Sequence, residues 1–469
     1  MKRRIPDRFR CQGYWRPFLF MLALAAHAGP AAAQQAPLTL EQAVNQALDK
    51  YPAVRASIEQ VAVAAAGISL ARAVYLPHAD FLGQMNRATR NNVFGLLLPQ
   101  PVISSISGPV LGTNSAGSVW GAALGVLVSW EPFDFGVRPA TVGVAQSVRD
   151  SSNAQLAVTR LQVGTSAADA FLTVLAAHQT AQAAAAGVER GRVVNEAVQT
   201  LVKNQLRPGA DASRADAELA LARIQLIQAE QAEQVSRAAL GQLLGAPPAT
   251  LQLQPGPLLK APPFIDTTGP GVAENPRAVA QSAAVNVVKA RQKVLERSYY
   301  PKFLLQATTY GRGTGAHVDG TTGGGGSGLG PDVGNWAVGM TVLFPLFDLP
   351  SIHRRKEVEI HNERAEAARY DQILRELSGQ FEKAKAALEG ARGVAQNTPI
   401  QLAAARVLEQ QATARYKAGL ATIVEVAEAE RLLVQAEIDD SLAGVSVWRA
   451  LLAVRAAQGD LTPYLQQTR

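Results

Sequence analysis

The sequence predicts a mainly α-helical fold with a membrane-spanning β part, built from two tandem repeats of long α-helical hairpins and four strands. The chain has 469 residues and is 48% hydrophobic but only 6% aromatic, which favours long, closely packed helices over a compact globule. One order of motifs occurs twice along the chain, and each copy contains alternating strands of membrane-spanning length. The length therefore does not represent three ordinary globular domains.

The N-terminal segment 1–33 carries much of the positive charge. Six basic residues and one acidic residue account there for +5 of the net charge of +7, which leaves +2 for the remainder. The basic start, the apolar run at 18–26 and Ala31-Ala32-Ala33 predict a secretory signal peptide over 1–33, although cleavage after Ala28 also fits. An exported chain with this small residual charge is predicted to have no nucleic-acid partner. Its single cysteine, Cys11, lies in the leader and excludes a disulfide scaffold within the chain.

Two copies of one pattern follow, at 38–245 and 274–459, with a short tail at 460–469. The join at 246–273 contains seven prolines and is predicted to be an extended linker. The numbers of matching residues differ by 224 in the first part of each copy and by 214 in the second part. The matching residues include Pro52 and Pro276, Tyr75 and Tyr299, Pro77 and Pro301, Phe133-Asp134 and Phe347-Asp348, Lys203 and Lys417, and Gly245 and Gly459.

Each copy has the same predicted order of elements, and its helices dominate. An opening helix begins at Thr39, whose spacing to Gln42 is that of a capping box, and runs to about Tyr75. Two strands around a long loop come next. Very long helices are predicted at 137–205 and 351–416, each about 100 Å in length. Shorter helices at 210–244 and 422–457 complete the copies, each with a glycine at its end.

The second strand of each copy has the clearest membrane pattern. Alternate residues from Trp120 to Trp130 are apolar, and the same alternation runs from Trp336 to Phe344. Ten residues span about 33 Å, or about 25 Å when tilted near 40°, which is the height of the apolar band of a transmembrane β-barrel. A soluble sandwich strand would also alternate, but export and the paired aromatics favour the barrel. These four aromatic residues are predicted to lie at the interface with outer-membrane lipid.

Two strands per copy make four strands per chain, which are too few to close a barrel. Unpaired strand edges are unstable in lipid, so the chain is predicted to oligomerise. Twelve strands from three chains leave room for a pore, which makes a homotrimer the preferred assembly.

Five local motifs follow one another along the chain: Leu38-Thr39-Leu40-Glu41-Gln42-Ala43, Tyr51-Pro52, Tyr75-Leu76-Pro77, Pro345-Leu346-Phe347-Asp348 and Arg415-Tyr416-Lys417-Ala418-Gly419-Leu420. In this order, on the repeat, they resemble the TolC-like outer-membrane efflux protein family over essentially the whole chain after the leader. That resemblance implies a trimer with a twelve-stranded transmembrane β-barrel continuous with a periplasmic α-barrel. It also implies a passive exit duct for an inner-membrane transporter, in a tripartite efflux pump or a type I secretion system, joined through a periplasmic adaptor (membrane fusion) protein.

The resemblance places the adaptor contact at the two helix breaks, which are the tips of the helical hairpins. For Asp211 and Glu425, helix capping is an alternative role, because each lies in the first turn of a helix. The first tip carries Gln205-Leu206 instead of a Gly-Leu pair and is expected to dock differently or weakly. The expected docking residues are Lys203, Leu206, Gly209 and Asp211 at the first tip, and Arg415, Lys417, Gly419, Leu420, Thr422 and Glu425 at the second.

No motif predicts an enzyme, a cofactor or a metal site. The glycine run at 323–326 lacks the Lys-Ser/Thr ending of a phosphate-binding loop, and the histidines lack metal-ligand spacing. The alternative to a channel is a periplasmic coiled-coil adaptor or scaffold protein without a membrane barrel. The exported substrate, the class of transporter and the state of the periplasmic mouth stay open.

Overall fold

A computed structural model describes residues 37–91, 114–262 and 267–468, so the predicted signal peptide at 1–33 lies outside the described residues. The two copies fold into the same order of elements, except that the first begins with one additional helix. The first contains α1 (Leu40–Lys50), α2 (Pro52–Ala73), β1 (His78–Thr89), β2 (Ser118–Phe133), α3 (Val137–Lys203) and α4 (Gly209–Leu244). The second contains α5 (Pro276–Arg297), β3 (Lys302–Thr314), β4 (Val333–Leu343), α6 (Leu349–Lys417) and α7 (Ile423–Gln458), and α8 (Thr462–Gln467) follows it.

The strand register supports the repeat independently of the sequence motifs. Phe81 of β1 is paired with Val126 of β2. The offset of 224 takes Phe81 to Leu305, and the offset of 214 takes Val126 to Met340. Leu305 and Met340 are themselves paired between β3 and β4. The two copies are therefore repeats of one structure, with the offsets found in the sequence.

The long helices form two hairpins that lie side by side. α3 has 67 residues and α6 has 69 residues, so each is about 100 Å long. α3 packs against α4 in the first hairpin, α6 packs against α7 in the second, and α3 also contacts α7. Gly245 and Gly459 end α4 and α7 with φ angles of 62° and 91°, in the left-handed region that favours glycine.

The opening helix differs from its prediction because it is broken near its start. Thr39 forms the predicted capping box with Gln42, but α1 ends at Lys50. Tyr51 has an extended backbone (φ −66°, ψ 128°) and α2 begins at Pro52. A residue before proline disfavours the helical conformation, so the Tyr51-Pro52 pair interrupts the helix predicted from Thr39 to Tyr75.

The four strands form one antiparallel sheet in the order β1-β2-β3-β4. Phe81, Val126, Thr309 and Trp336 lie in one row across the sheet. Within the described residues, β1 and β4 each pair with a single neighbouring strand, so they form the two edges of the sheet.

The main core lies at the waist of the molecule, where the opening helix, the linker and the C-terminal tail meet the long helices. Phe171 of α3 and Trp448 of α7 are almost completely buried there. Tyr464 of α8 is also buried, and its ring meets the Trp448 ring edge-on at 5.9 Å. The residues predicted as a tail thus contribute a helix to the core.

The proline-rich linker is packed on the waist, so its prediction as an extended spacer is wrong in part. Its described residues contain three short 3-10 turns, and Leu258 inserts into the core. Trp448 Nε1 donates a hydrogen bond to the Lys260 carbonyl at 2.9 Å. Proline prevents a regular helix there, but it permits single turns that can dock on a helix surface.

Candidate docking tips and membrane-facing sheet

The first hairpin tip turns on a residue with a left-handed backbone. Gln205 has a φ of 61°, which is uncommon for a residue with a side chain. Its N–H donates to the Val202 carbonyl at 2.9 Å, and the Leu206 N–H donates to the Leu201 carbonyl at 2.9 Å. These two bonds define a Schellman motif, which satisfies the last carbonyls of α3.

The second tip has the same backbone motif with glycine at the turning position. Gly419 has a φ of 80°, and its N–H donates to the Tyr416 carbonyl at 3.0 Å. The Leu420 N–H donates to the Arg415 carbonyl at 2.9 Å. The structure therefore matches Gln205 with Gly419, whereas Gly209 is already the first residue of α4.

A tyrosine and an arginine join the two tips. The Tyr416 hydroxyl donates to Asp211 Oδ2 at 3.1 Å, and Tyr416 is only 3% exposed. The Arg207 guanidinium lies 4.4 Å from the centre of the Tyr416 ring and donates to the Tyr416 carbonyl at 2.6 Å. Burial, followed by the hydrogen bond and charge of Asp211, raises the pKa of Tyr416 to about 12.

The two tip carboxylates have different roles. Glu425 forms the predicted capping box, because Thr422 N–H donates to Glu425 Oε1 at 3.1 Å and Glu425 N–H donates to the Thr422 hydroxyl at 3.4 Å. Asp211 makes no such bond: the cap of α4 is Pro208, and no side chain caps it. The capping alternative is therefore confirmed for Glu425 and wrong for Asp211, which bonds to the other hairpin instead.

Most of the predicted docking residues lie on the surface of the tips. Leu206 and Leu420 are 68% and 71% exposed, although both are large and apolar. Asp211 is half-buried. Arg415 lies 3.7 Å from Glu425 and also reaches the Leu420 carbonyl. The residues exposed to solvent are Lys203, Leu206, Gly209, Arg415, Lys417, Gly419, Leu420, Thr422 and Glu425.

A charged cluster that the sequence does not predict joins the hairpins further from the tips. Arg190 of α3 lies 2.8 Å from Glu437 and 3.2 Å from Glu430, both on α7. Burial raises the pKa of Glu430, and the attraction of Arg190 offsets this only in part. These partners are separated by 240 residues or more, so no local sequence pattern could identify them.

The sheet has one apolar exposed face and one more polar, more buried face. Asp80, Gln84 and Gln306 belong to the second face, in alternation with the apolar residues. This alternation is typical of strands between lipid and a polar interior. The exposed apolar face contains Phe81, Met85, Leu124, Val126, Trp130, Trp336, Val338, Met340, Val342 and, just after β4, Phe344.

The predicted interface aromatics do not form two simple rows. Trp120 lies near the loop end of β2, beneath the Arg87 guanidinium at 5.2 Å. Trp130 lies near the helical end, where its Nε1 donates to the Tyr75 carbonyl at 3.0 Å. Phe344 also lies at the helical end of its strand, but the register places Trp336 level with Val126 and not with Trp120.

Where the strands meet the helices, aromatic rings from both copies form a cluster. The Phe133 ring lies 4.6 Å from that of Phe135 and 6.2 Å from that of Phe303. The Phe135 ring also stacks on Tyr300 at 5.7 Å. The cluster thus fastens the end of β2 to the start of β3.

A four-stranded sheet with one apolar face, carried on two helical hairpins about 100 Å long, defines a subunit of an outer-membrane channel. The chain belongs to the outer membrane efflux protein family, whose family model matches residues 43–246 and 272–460. It is therefore an outer-membrane protein of a transport family. The alternative of a periplasmic adaptor or scaffold without a membrane barrel is not supported.

Solved structures have the same fold. A membrane protein from Pseudomonas aeruginosa is similar with a TM-score of 0.74 and 18% identity, over 92% of this chain and 93% of that chain. The outer membrane protein VceC from Vibrio cholerae is similar with a TM-score of 0.69 and 18% identity, over 90% and 96%. Protein CyaE of Bordetella pertussis is 26% identical over 47% of this chain, and the match spans 43% of its own length.

Proposed function

We propose that this chain is one subunit of a homotrimeric channel that acts as a passive exit duct through the outer membrane. The sheet carries this proposal, because it has an apolar outward face and, in the described part of the chain, two unpaired edges. Four strands cannot enclose a pore, and every backbone group within lipid needs a partner. Three copies supply twelve strands, which enclose a pore.

Energy for transport then comes from an inner-membrane transporter. We infer a periplasmic adaptor protein between them, because the helical hairpins reach about 100 Å from the sheet into the periplasm. The exposed leucines Leu206 and Leu420 are the large apolar side chains that the two tips would present to a helical partner. Both an efflux pump and a type I secretion system use such an arrangement.

The assembly is tested on protein purified from outer membranes in mild detergent. Native mass spectrometry is expected to give the mass of three chains, and the trimer is expected to survive brief treatment with sodium dodecyl sulfate below its dissociation temperature. A monomer confined to the soluble periplasmic fraction would contradict the channel.

Docking at the tips is tested best at Leu420. Gly419 is a less suitable target, because its positive φ makes any side chain strained. Leu420→Asp is expected to reduce export to the level of a deletion strain, measured with a compound or protein whose export the deletion abolishes, with an unchanged amount of trimer. Leu206→Asp tests the other tip, and Asn153→Asp on an exposed part of α3 serves as the control. Full export with both leucines replaced would contradict tip docking.

A further inference from the structure

We propose that β4 of one chain pairs with β1 of a neighbouring chain in a single register. This register repeats the pairing between β2 and β3 inside each chain. In this register Met340 of one chain lies opposite Met85 of the neighbouring chain, and Phe344 lies opposite Phe81 of that chain. The inference rests on the proposed trimeric channel, and it adds the residue pairing that closes the barrel.

The seam between β2 and β3 is the internal template, because it joins a strand of the first copy to a strand of the second. Val126 is paired there with Thr309, and Trp130 is paired with Leu305. In the other repeat, β4 is the equivalent of β2 and β1 is the equivalent of β3. The same seam between the second repeat of one chain and the first repeat of the next chain is therefore a contact between β4 and β1.

The offsets for this replacement are those that the two hairpins share. Residues of β2 move forward by 214 to β4, and residues of β3 move back by 224 to β1. The same offsets convert the β1–β2 register into the β3–β4 register without a slip, so they hold for all four strands. The resulting pairs are Met340 with Met85, from Val126 and Thr309, and Phe344 with Phe81, from Trp130 and Leu305.

The chemistry of the edges agrees with this register. Met340, Met85 and Phe81 are 65%, 65% and 73% exposed, and all lie on the apolar face of the sheet. The inferred pairing keeps them on that face in both chains. A slip of one residue would turn Asp80 and its polar neighbours towards lipid, because successive side chains of a strand point to opposite faces.

An exposed aromatic ring at the helical end of the seam also fits a contact between chains. Phe133 and Phe303 are in contact at the internal seam. The equivalent residues at the seam between chains are Phe347 of one chain and Ala79 of the neighbouring chain. Phe347 is 97% exposed in the single chain. Its equivalent Phe133, which touches Phe303 at the internal seam, is 53% exposed, so Phe347 has more open surface for a neighbouring chain to cover.

A helix beside the seam, α2, also has a face that the single chain leaves uncovered. In the part of the chain that the structure describes, α5 packs against both α3 and α6, whereas its equivalent α2 packs against α3 but not α6. α2 is long and apolar enough to span a membrane, yet only 17% of its most apolar segment is buried in the chain. In the assembly, α6 of the neighbouring chain covers the free face of α2. This follows because the contact between α3 and α5 inside the chain is equivalent to a contact between α6 of one chain and α2 of the next.

Disulfide trapping in the full-length assembled protein tests the register. In a Cys11→Ser background, Met340→Cys with Met85→Cys forms the test pair. The slipped pair is Met340→Cys with Phe81→Cys, which has the same face and a similar exposure but lies out of register. Cα atoms more than about 7 Å apart cannot be bridged without backbone movement. On oxidation, the test pair is expected to give at least five times more reducible covalent dimer and trimer than the slipped pair.

An internal pair calibrates the chemistry, because Val126→Cys with Thr309→Cys has the same inferred geometry within one chain. If the test pair disturbs folding, Val342→Cys with Gly83→Cys reports the same register, and a Cβ at Gly83 meets only ordinary contact. Trimers that crosslink through the slipped pair, or that crosslink only internally, would overturn the register and leave the channel proposal intact. A monomer by native mass spectrometry would overturn both.

Discussion

Gln205 and Gly419 occupy equivalent positions at the ends of the two long helices, with positive φ angles of 61° and 80°. Each donates its N–H to the carbonyl three residues earlier, and the following leucine bonds one residue further back. The two tips therefore have the same backbone conformation, although only the second has a glycine at the turning position. The first tip bears the conformational strain that the second avoids.

Replacing Gln205 by glycine is expected to stabilise the first tip. A side chain in the left-handed region costs about 1 kcal/mol, which corresponds to roughly fivefold slower exchange of the protected amide when opening is local. Hydrogen exchange at the Leu206 amide measures the effect. Gly419→Ala is the matched control and is expected to accelerate exchange at Leu420 to a similar degree. Equal exchange in all three proteins would contradict the equivalence.

Tyr416→Phe is expected to loosen the contact between the hairpins. The change removes the hydroxyl that donates to Asp211 and costs about 1 kcal/mol. Distances between spin labels at Lys203 and Lys417 should broaden, whereas Tyr370→Phe, elsewhere on α6, should leave them unchanged. An unaltered distribution in Tyr416→Phe would show that the hydrogen bond does not hold the tips together.

The same contact is expected to weaken in alkali. The pKa of Tyr416 is raised from 10 to about 12, so its contribution to stability is complete below pH 10 and is lost as the pH rises through 12. Ultraviolet absorbance of tyrosinate, taken as the difference between wild type and Tyr416→Phe, should give one group that titrates near pH 12. A midpoint near pH 10 would contradict the buried hydrogen bond.

Arg190→Leu is expected to destabilise the hairpin pair by about 2 kcal/mol, because it leaves two partly buried carboxylates without their cation. The loss should be larger at pH 8 than at pH 5. The pKa of Glu430 is already raised above 4.5 by burial, and protonation at low pH removes the unpaired charge. Hydrogen exchange in α7 measures the change.

Arg192 provides the control for Arg190, because it lies two positions further along the same helix but pairs with Glu189 and Glu196 of α3 itself. Arg192→Leu is expected to leave exchange in α7 unchanged, since exposed pairs within one helix contribute little. Equal effects of the two substitutions would argue against a link between the hairpins at Arg190.

Gly444→Ala is expected to detach the linker from α7. A Cβ at this position would lie 2.3 Å from the Leu259 carbonyl oxygen, and overpacking of this kind costs about 2 kcal/mol. Tryptic cleavage after Lys260 should become several times faster. Gly390→Ala, where a Cβ meets no atom within 4 Å, should leave this cleavage unchanged. A resistant linker in Gly444→Ala would contradict the docked path.

Local patterns were sufficient to predict the long helices and the four strands, but they missed the break at Tyr51 and the short helix α8. The predicted long helices at 137–205 and 351–416 agree with α3 and α6 to within two residues at each end. Glycine and capping signals identified the ends of α4 and α7 because these signals act through neighbouring backbone groups. The repeat also followed from sequence, since its offsets reappear in the strand register.

Contacts between the two copies could not be predicted in the same way. Asp211 lies in the first turn of α4 and resembles a helix cap, but its partner Tyr416 is 205 residues away. The linker prolines excluded a helix correctly, yet they contain no information about the surface of α7 that the linker covers. These contacts depend on how the helices pack, which residue spacing does not specify.

The position of the core has a mechanical consequence. Large side chains such as Phe171 and Trp448 concentrate at the waist, while the clusters nearer the tips consist mainly of alanine, valine and leucine. About 30 residues of α3 extend from Phe171 to the tip, a lever arm of about 45 Å. A pivot of about 10° at the waist would carry the tip through about 8 Å. A small rotation at the waist is thereby amplified into a displacement of the tip that is about as wide as the spacing between packed helices.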